Sequence, residues 1–127
     1  MDVLAGWFGA AGLTVVIETG IMVAAGYRSR RFVLACVCIN IATNLTLNVL
    51  LALFSMKYRT WSWGLVGVLE AVVVVVEWSV LRLAAGSEGQ SVPFRSRATV
   101  RLAGFVVLAN LASFAAGLLF RLSTTPW

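Results

Sequence analysis

Apolar residues in this chain run in long blocks and do not alternate with polar ones. Four blocks, about residues 3-26, 32-56, 61-81 and 102-122, are almost continuously apolar. Each is long enough to cross a hydrocarbon core that takes about 20 apolar residues as a helix. Two short connectors, residues 27-31 and 57-60, mark tight helical hairpins. The third connector, 82-101, holds Gly86, Gly89, Pro93 and several serines and reads as a flexible loop. Val72 to Val76 has strand propensity, but a membrane barrel needs alternating polarity and turn signals about every ten residues. Neither is present, and closed helices are the other way to satisfy backbone groups in lipid. The pattern predicts an all-α integral membrane protein, one four-helix transmembrane domain over residues 1-127 folded as a compact bundle.

Composition strengthens that expectation. The chain is 61% hydrophobic with a mean hydropathy of +0.95, well above the roughly 45 to 50% apolar usage of a soluble domain. Only 12% of residues are charged, so a soluble fold of this size would present a mostly apolar surface to water. The segment before the first block carries Asp2 and no lysine or arginine. It lacks the basic start of a cleaved signal peptide, so the first block is expected to remain in the mature protein.

Charge then sets an orientation. Arg28, Arg30 and Arg31 in the first connector, with Arg82, Arg95, Arg97 and Arg101 in the third, make seven basic residues, against Lys57, Arg59 and Arg121 for the other side. The positive-inside rule places connectors one and three in the cytoplasm and both termini on the non-cytoplasmic side of a multi-pass cell (inner) membrane protein. Trp7, Tyr58, Trp61, Trp63 and Trp127 then form an outer aromatic belt, with Tyr27 and Trp78 near the inner interface. The net charge of +5 becomes an arginine rim facing anionic lipid head groups, with no role in nucleic-acid binding.

The chemistry available is narrow. Cys36 and Cys38 are two apart in an apolar run and point about 200° apart on a helix, so small packing residues is the better reading than a metal clip or redox pair. Histidine is absent, which removes the commonest metal ligand and general base. No metal or cofactor is expected. No aspartate cluster or nucleophile motif supports an enzyme, although Glu18, Glu70 and Arg101 are the residues such a reading would use.

What remains is a set of polar groups inside the apolar blocks. Taking each block's midpoint as the bilayer centre, Glu70, Asn44 and Asn110 fall near the midplane. At 1.5 Å per residue, Glu18 and Asn40 lie about 5 Å and Glu77 about 9 Å toward the cytoplasm, with Asn48 about 7 Å toward the outside. Asn40, Asn44 and Asn48 share one helix face, as do Glu70 and Glu77. Both stripes are expected to face the bundle interior or another subunit.

The third block tests that expectation energetically. Its eleven valines and leucines each contribute about −0.3 to −0.6 kcal/mol to insertion, against about +2.5 to +3.5 kcal/mol for each charged glutamate at mid-helix. The sum is near zero, so this helix needs partners, protonation of Glu70, or both. Interhelical hydrogen bonding accounts for the asparagines without any activity. It does not require an ionisable group at the midplane, and Glu70 is therefore the stronger functional candidate. Glu77 is close enough to the arginine rim to be read as an interfacial charge.

A faint internal repeat is also present. Glu18, Ala24-Ala25-Gly26, Arg31 and Asn40-Ile41-Ala42-Thr43 in the first half are answered by Glu77, Ala84-Ala85-Gly86, Arg101 and Asn110-Leu111-Ala112-Ser113 in the second. Arginine precedes asparagine by nine residues in both halves, which is compatible with two parallel helical-hairpin repeats. These features lead to the expectation of a small proton-coupled transporter or permease subunit for a cation or small solute. Glu18, Asn40, Asn44, Glu70, Glu77 and Asn110 would line its path, opening toward the cytoplasm, in a homo-oligomer. The alternative is a non-catalytic accessory or assembly subunit docked on a larger membrane partner.

Overall fold

The structure, a computed structural model, describes residues 3-58, 62-86 and 96-124. They form four helices: α1 (Val3–Ala24), α2 (Arg30–Tyr58), α3 (Trp63–Ala85) and α4 (Arg97–Thr124). There is no strand among the described residues. Three of the helices, Arg30–Tyr58, Trp63–Ala85 and α4 over Arg97–Leu119, are long and apolar enough to cross a membrane. α1 contributes a shorter apolar stretch, Phe8–Ala24.

The helix ends follow from local chemistry. Serine starts each of the last three helices. Ser29 Oγ accepts from the Phe32 N–H (3.1 Å), Ser62 Oγ from Leu65 (3.3 Å) and Ser96 Oγ from Thr99 (3.2 Å). Each satisfies one of the donors that a helix N-terminus leaves open. α1 ends in a Schellman turn. Gly26 takes φ +105°, its N–H bonds the Val23 carbonyl (3.1 Å), and the Tyr27 N–H reaches back to Met22 (3.0 Å). A left-handed φ of that size favours glycine. Tyr27 is thereby folded back onto the buried core beside Met22.

Two boundaries differ from the hydropathy pattern. α3 continues to Ala85 and α4 begins at Arg97, so both ends of the expected 82-101 loop are helical. Arg82, Arg97 and Arg101 ended the apolar blocks, yet a charge at a helix end does not stop a helix that has a capping residue such as Ser96. Residues 87-95 of that connector lie outside the described residues.

The helices close into a ring. α1 packs on α2 and α4 and α3 packs on α2 and α4, while among the described residues the backbones of the two diagonal pairs make no close approach; contact is thinnest between α3 and α4. Successive helices run antiparallel, so the C-terminal ends of α1 and α3 and the N-terminal ends of α2 and α4 share one end of the bundle. That end carries Arg28, Arg30, Arg31, Arg82, Arg97 and Arg101. The apolar core sits beside it: Met22, Phe32, Cys36, Leu81, Ala84, Leu102 and Val106 are all buried. Tyr27 stacks on Phe32 with ring centroids 4.7 Å apart, and Phe105 meets Tyr27 edge-on at 6.3 Å. This end of the ring is plugged by large side chains.

Polarity is inverted relative to a water-soluble bundle. Glu18, Asn40, Glu77, Thr99, Asn110 and Ser113 are buried, while Leu34, Leu53, Val68, Leu83, Val100 and Leu111 are each more than half exposed. An apolar exterior around a polar interior is what a hydrocarbon solvent selects.

Candidate functional site

Beyond the plug, the interior opens. A cavity of about 170 Å³ lies between all four helices, walled by Thr14 and Glu18 of α1, Asn44 of α2, Glu70 and Glu77 of α3 and Asn110 of α4, among others. Its floor is the glutamate layer next to the apolar core. It extends past Asn48, Leu51 and Gly117 toward Ala10 and Trp63, the end where α2 finishes and α3 starts. The volume is sufficient for several waters or a small cation. The sequence placed the mouth at the arginine-rich end; in the structure the cavity lies at the opposite end. The reason is side-chain size, since Met22, Phe32, Leu81 and Leu102 fill one end of the ring, whereas Ala10 and Gly117 leave space at the other.

The floor is a hydrogen-bonded network that joins distant parts of the chain. Glu77, 3% exposed, receives two bonds. Asn110 Nδ2 donates to Oε2 at 2.6 Å, and Thr43 Oγ1 donates to Oε1 at 2.7 Å. Glu18, also 3% exposed, accepts from Ser113 Oγ at 2.6 Å. Both carboxylates are thus held by neutral donors at charge-assisted distances. Asn110 Nδ2 also donates to the Val106 carbonyl at 3.0 Å, and the Ile39 carbonyl, 2.9 Å from Thr43 Oγ1, is an alternative acceptor for the one hydroxyl proton. The Val106 contact orients the Asn110 amide, whose second N–H is the one that reaches Glu77.

The asparagine stripe faces inward, and its members differ. Asn40 is buried and donates to Cys36 Sγ at 3.4 Å, and its Oδ1 has no hydrogen-bond partner among the described residues. Asn44 and Asn48 line the cavity and bond each other, Nδ2 of Asn48 to Oδ1 of Asn44 at 2.9 Å. Glu70 is half-buried in the cavity wall and has no hydrogen-bond partner among the described residues. It lies about 10 Å, seven residues, from Glu77 along α3. Glu77 itself is not an interfacial charge. Its side chain turns inward to Asn110 and Thr43, because those donors offer a buried carboxylate more than a turn of snorkelling would.

Of the basic rim, Arg28, Arg30, Arg31, Arg97 and Arg101 are exposed and Arg82 is half-buried, while Arg95 lies outside the described residues. Arg101 sits over the Phe105 ring at 5.6 Å and Arg28 Nε bonds the Val23 carbonyl at 3.3 Å. None of the described arginines lines the cavity. Three carboxylates therefore share one space whose described walls carry no cation. Among the described residues no group of three or more His, Cys, Asp or Glu side chains is arranged to hold a metal ion.

Two contributors were missed from the sequence as ligands, Thr43 and Ser113. A signal for them was present. Each stands three residues after an asparagine of the repeat, Asn40-x-x-Thr43 and Asn110-x-x-Ser113, and so on the same helix face. The structure extends this correspondence. Phe32, Cys36 and Asn40 are buried at four-residue spacing on α2, and Leu102, Val106 and Asn110 on α4. Glu18 with Met22 on α1 matches Glu77 with Leu81 on α3. Thr43 reaches from α2 to the glutamate of α3, as Ser113 reaches from α4 to that of α1. The match breaks at Asn40, which bonds Cys36 on its own helix, where Asn110 holds the α3 glutamate.

Comparison with protein-family models, with curated proteins and with solved structures finds no match for this chain.

Proposed function

We propose that this chain is a small four-span membrane transporter or permease subunit that moves a cation or small solute coupled to protons. The observation that carries this reading is a single cavity shared by Glu18, Glu70 and Glu77 with no lysine or arginine in its described wall. Burying several carboxylates in apolar surroundings without a counter-charge is costly. A bound proton or cation relieves that cost, and one can replace the other, which is the minimum requirement for coupling. The network that holds Glu18 and Glu77 also makes them a poor choice for hydrogen-bond glue alone, since neutral side chains would serve that purpose at lower cost.

On this reading all four helices span a cell membrane, with the arginine rim on the cytoplasmic side against anionic lipid heads and both termini outside. The cavity then faces the outside and the Tyr27, Phe32 and Phe105 cluster closes the cytoplasmic side. Movement of the two hairpins, α1 with α2 and α3 with α4, would open that side, as in transporters built from parallel repeats. The matched Glu-Asn-Thr/Ser positions support treating the hairpins as such repeats. We also propose that the working unit is a homo-oligomer, because a four-helix ring encloses a path of little width.

The test is reconstitution of the purified chain in liposomes containing a pH-sensitive dye. Imposed gradients of potassium, tetramethylammonium and a neutral polyol should separate the cases. The proposal expects proton flux that a cation gradient drives and the polyol gradient does not. The absence of flux with every solute, together with purification in fixed ratio with another membrane protein, would replace the transporter by an accessory subunit.

A further inference from the structure

A second space touches the cavity from outside the ring. Between α3 and α4, where helix contact is thinnest, lies a groove of about 370 Å³, within the range of small-molecule sites. Gly67 and Ala71, one turn apart on α3, supply little side chain there, which leaves space between the helices. Leu111 on the α4 side is 61% exposed, which leaves the groove open on the apolar flank of the bundle. Its walls are apolar except for two residues, Glu70 and Asn110. Trp63, Val66, Glu70, Asn110 and Phe114 line both the groove and the polar cavity. Glu70 therefore stands in the partition between a space that belongs with lipid and one that belongs with water.

We infer that this groove is a lateral entry site for compact apolar cations, meaning protonated or quaternary amines that carry aromatic or short alkyl groups. The inference rests on the cation-transport reading and names the class of its substrate. Charge selects the cation, because Glu70 is an acid without a hydrogen-bond partner among the described residues at the groove wall. Its surroundings select an apolar one. A hydrated ion would meet hydrocarbon on most sides with nothing to replace its water, and a sugar would find only two polar side chains. Trp63 and Phe114 add aromatic lining that suits the aryl or alkyl part of such a cation.

Depth excludes a membrane phospholipid as the occupant. Glu70 lies two turns, about 10 Å, below Trp63, so a lipid head group held at the interface would leave its hydrocarbon chain against the carboxylate. A compact cation places its charge at Glu70 and its body along Gly67, Ala71 and Leu111.

The experiment uses the full chain in lipid nanodiscs and compares benzyltrimethylammonium with tetramethylammonium by equilibrium binding, corrected against protein-free nanodiscs. Wild type should bind the benzyl compound at least about tenfold more tightly, a difference of about 1.4 kcal/mol. Gly67→Leu should weaken the benzyl compound at least tenfold. A Cβ at Gly67 meets nothing within 4 Å, and leucine is a better helix former than glycine, so this variant should melt no lower than wild type while filling the groove. Glu70→Gln should weaken binding to a similar degree. Equal binding of the two cations, or benzyl binding that Gly67→Leu leaves intact, would overturn the inference. So would a fall in oligomer mass in Gly67→Leu, since the groove would then be an interface between copies. If tetramethylammonium still drives proton flux in any of these cases, cation transport stands and only lateral entry is lost. If neither cation binds or drives flux but potassium does, lateral entry alone is lost; if potassium fails too, both readings are lost.

Discussion

Glu77→Gln should leave the bundle folded and lower cation-driven proton flux by at least about 100-fold, equivalent to about 2.7 kcal/mol. Glutamine keeps the length and shape of the side chain and still offers an oxygen to one of the two donors, Asn110 Nδ2 or Thr43 Oγ1. The Thr43 hydroxyl can rotate to accept from the new amide, because it already has the Ile39 carbonyl for its proton. What glutamine cannot do is carry a proton or a negative charge. Glu77→Leu should behave differently, since it leaves one Asn110 N–H, which Glu77 accepts in the wild type, beside a hydrocarbon, at about 1 to 3 kcal/mol for a buried group left unpaired. The comparison is read by thermal melting and liposome flux in parallel. A Glu77→Gln chain that transports like wild type would reduce the network to structural hydrogen bonding.

Phe32→Ala should cost about 3 to 5 kcal/mol of stability, the usual range for emptying a buried aromatic site. Phe32 is 1% exposed, lies in the core with Met22, Leu81 and Leu102, and stacks against Tyr27. That core also closes one end of the ring, so the vacated space should join the cavity to the arginine-rich end. The expected signature is double: earlier unfolding in denaturing mixed micelles, and proton leak through liposomes without any cation gradient. Phe32→Leu should recover most of both, because it refills the greater part of the volume. If Phe32→Ala unfolds like wild type and stays tight, the aromatic cluster is not the seal.

Most of the architecture was legible from the chain. Unbroken apolar blocks gave four helices, short connectors made sequential neighbours antiparallel, and four-residue spacing turned Asn40, Asn44 and Asn48 to the inside. Ser29, Ser62 and Ser96, which cap α2, α3 and α4, are visible in the chain too, but hydropathy does not register capping chemistry. The direction of the cavity was not legible. Depth along a helix says at which level a group lies, and nothing about which level is filled, which depends on how Met22, Phe32, Leu81 and Leu102 meet from four helices.

Glu77 shows the same limit. Its distance from the rim suggested an interfacial charge, while its actual environment is set by Thr43 and Asn110, more than thirty residues away on either side. The Ser113 bond to Glu18 joins residues 95 apart in sequence and exists only because α4 closes the ring against α1. Periodicity finds the face a residue occupies, but it does not find the partner on the facing helix.

On the transporter reading the carboxylate cavity is a water-filled, negatively charged space entered from the end away from the arginine rim. The most direct measurement is thiol accessibility in membranes, using chains with Cys36 and Cys38 replaced by alanine and single cysteines at Thr14, Gly117 or Met22. Small impermeant thiosulfonate reagents of either charge are applied from each side in turn. Positions 14 and 117 should react from the side of the α2–α3 connection, faster with the cationic reagent than with the anionic one. Position 22, inside the apolar core, should be inert from both sides. Reaction at position 22 from the arginine-rich side, or a faster anionic reagent at 14 and 117, would mean that the cavity opens the other way or carries no negative charge.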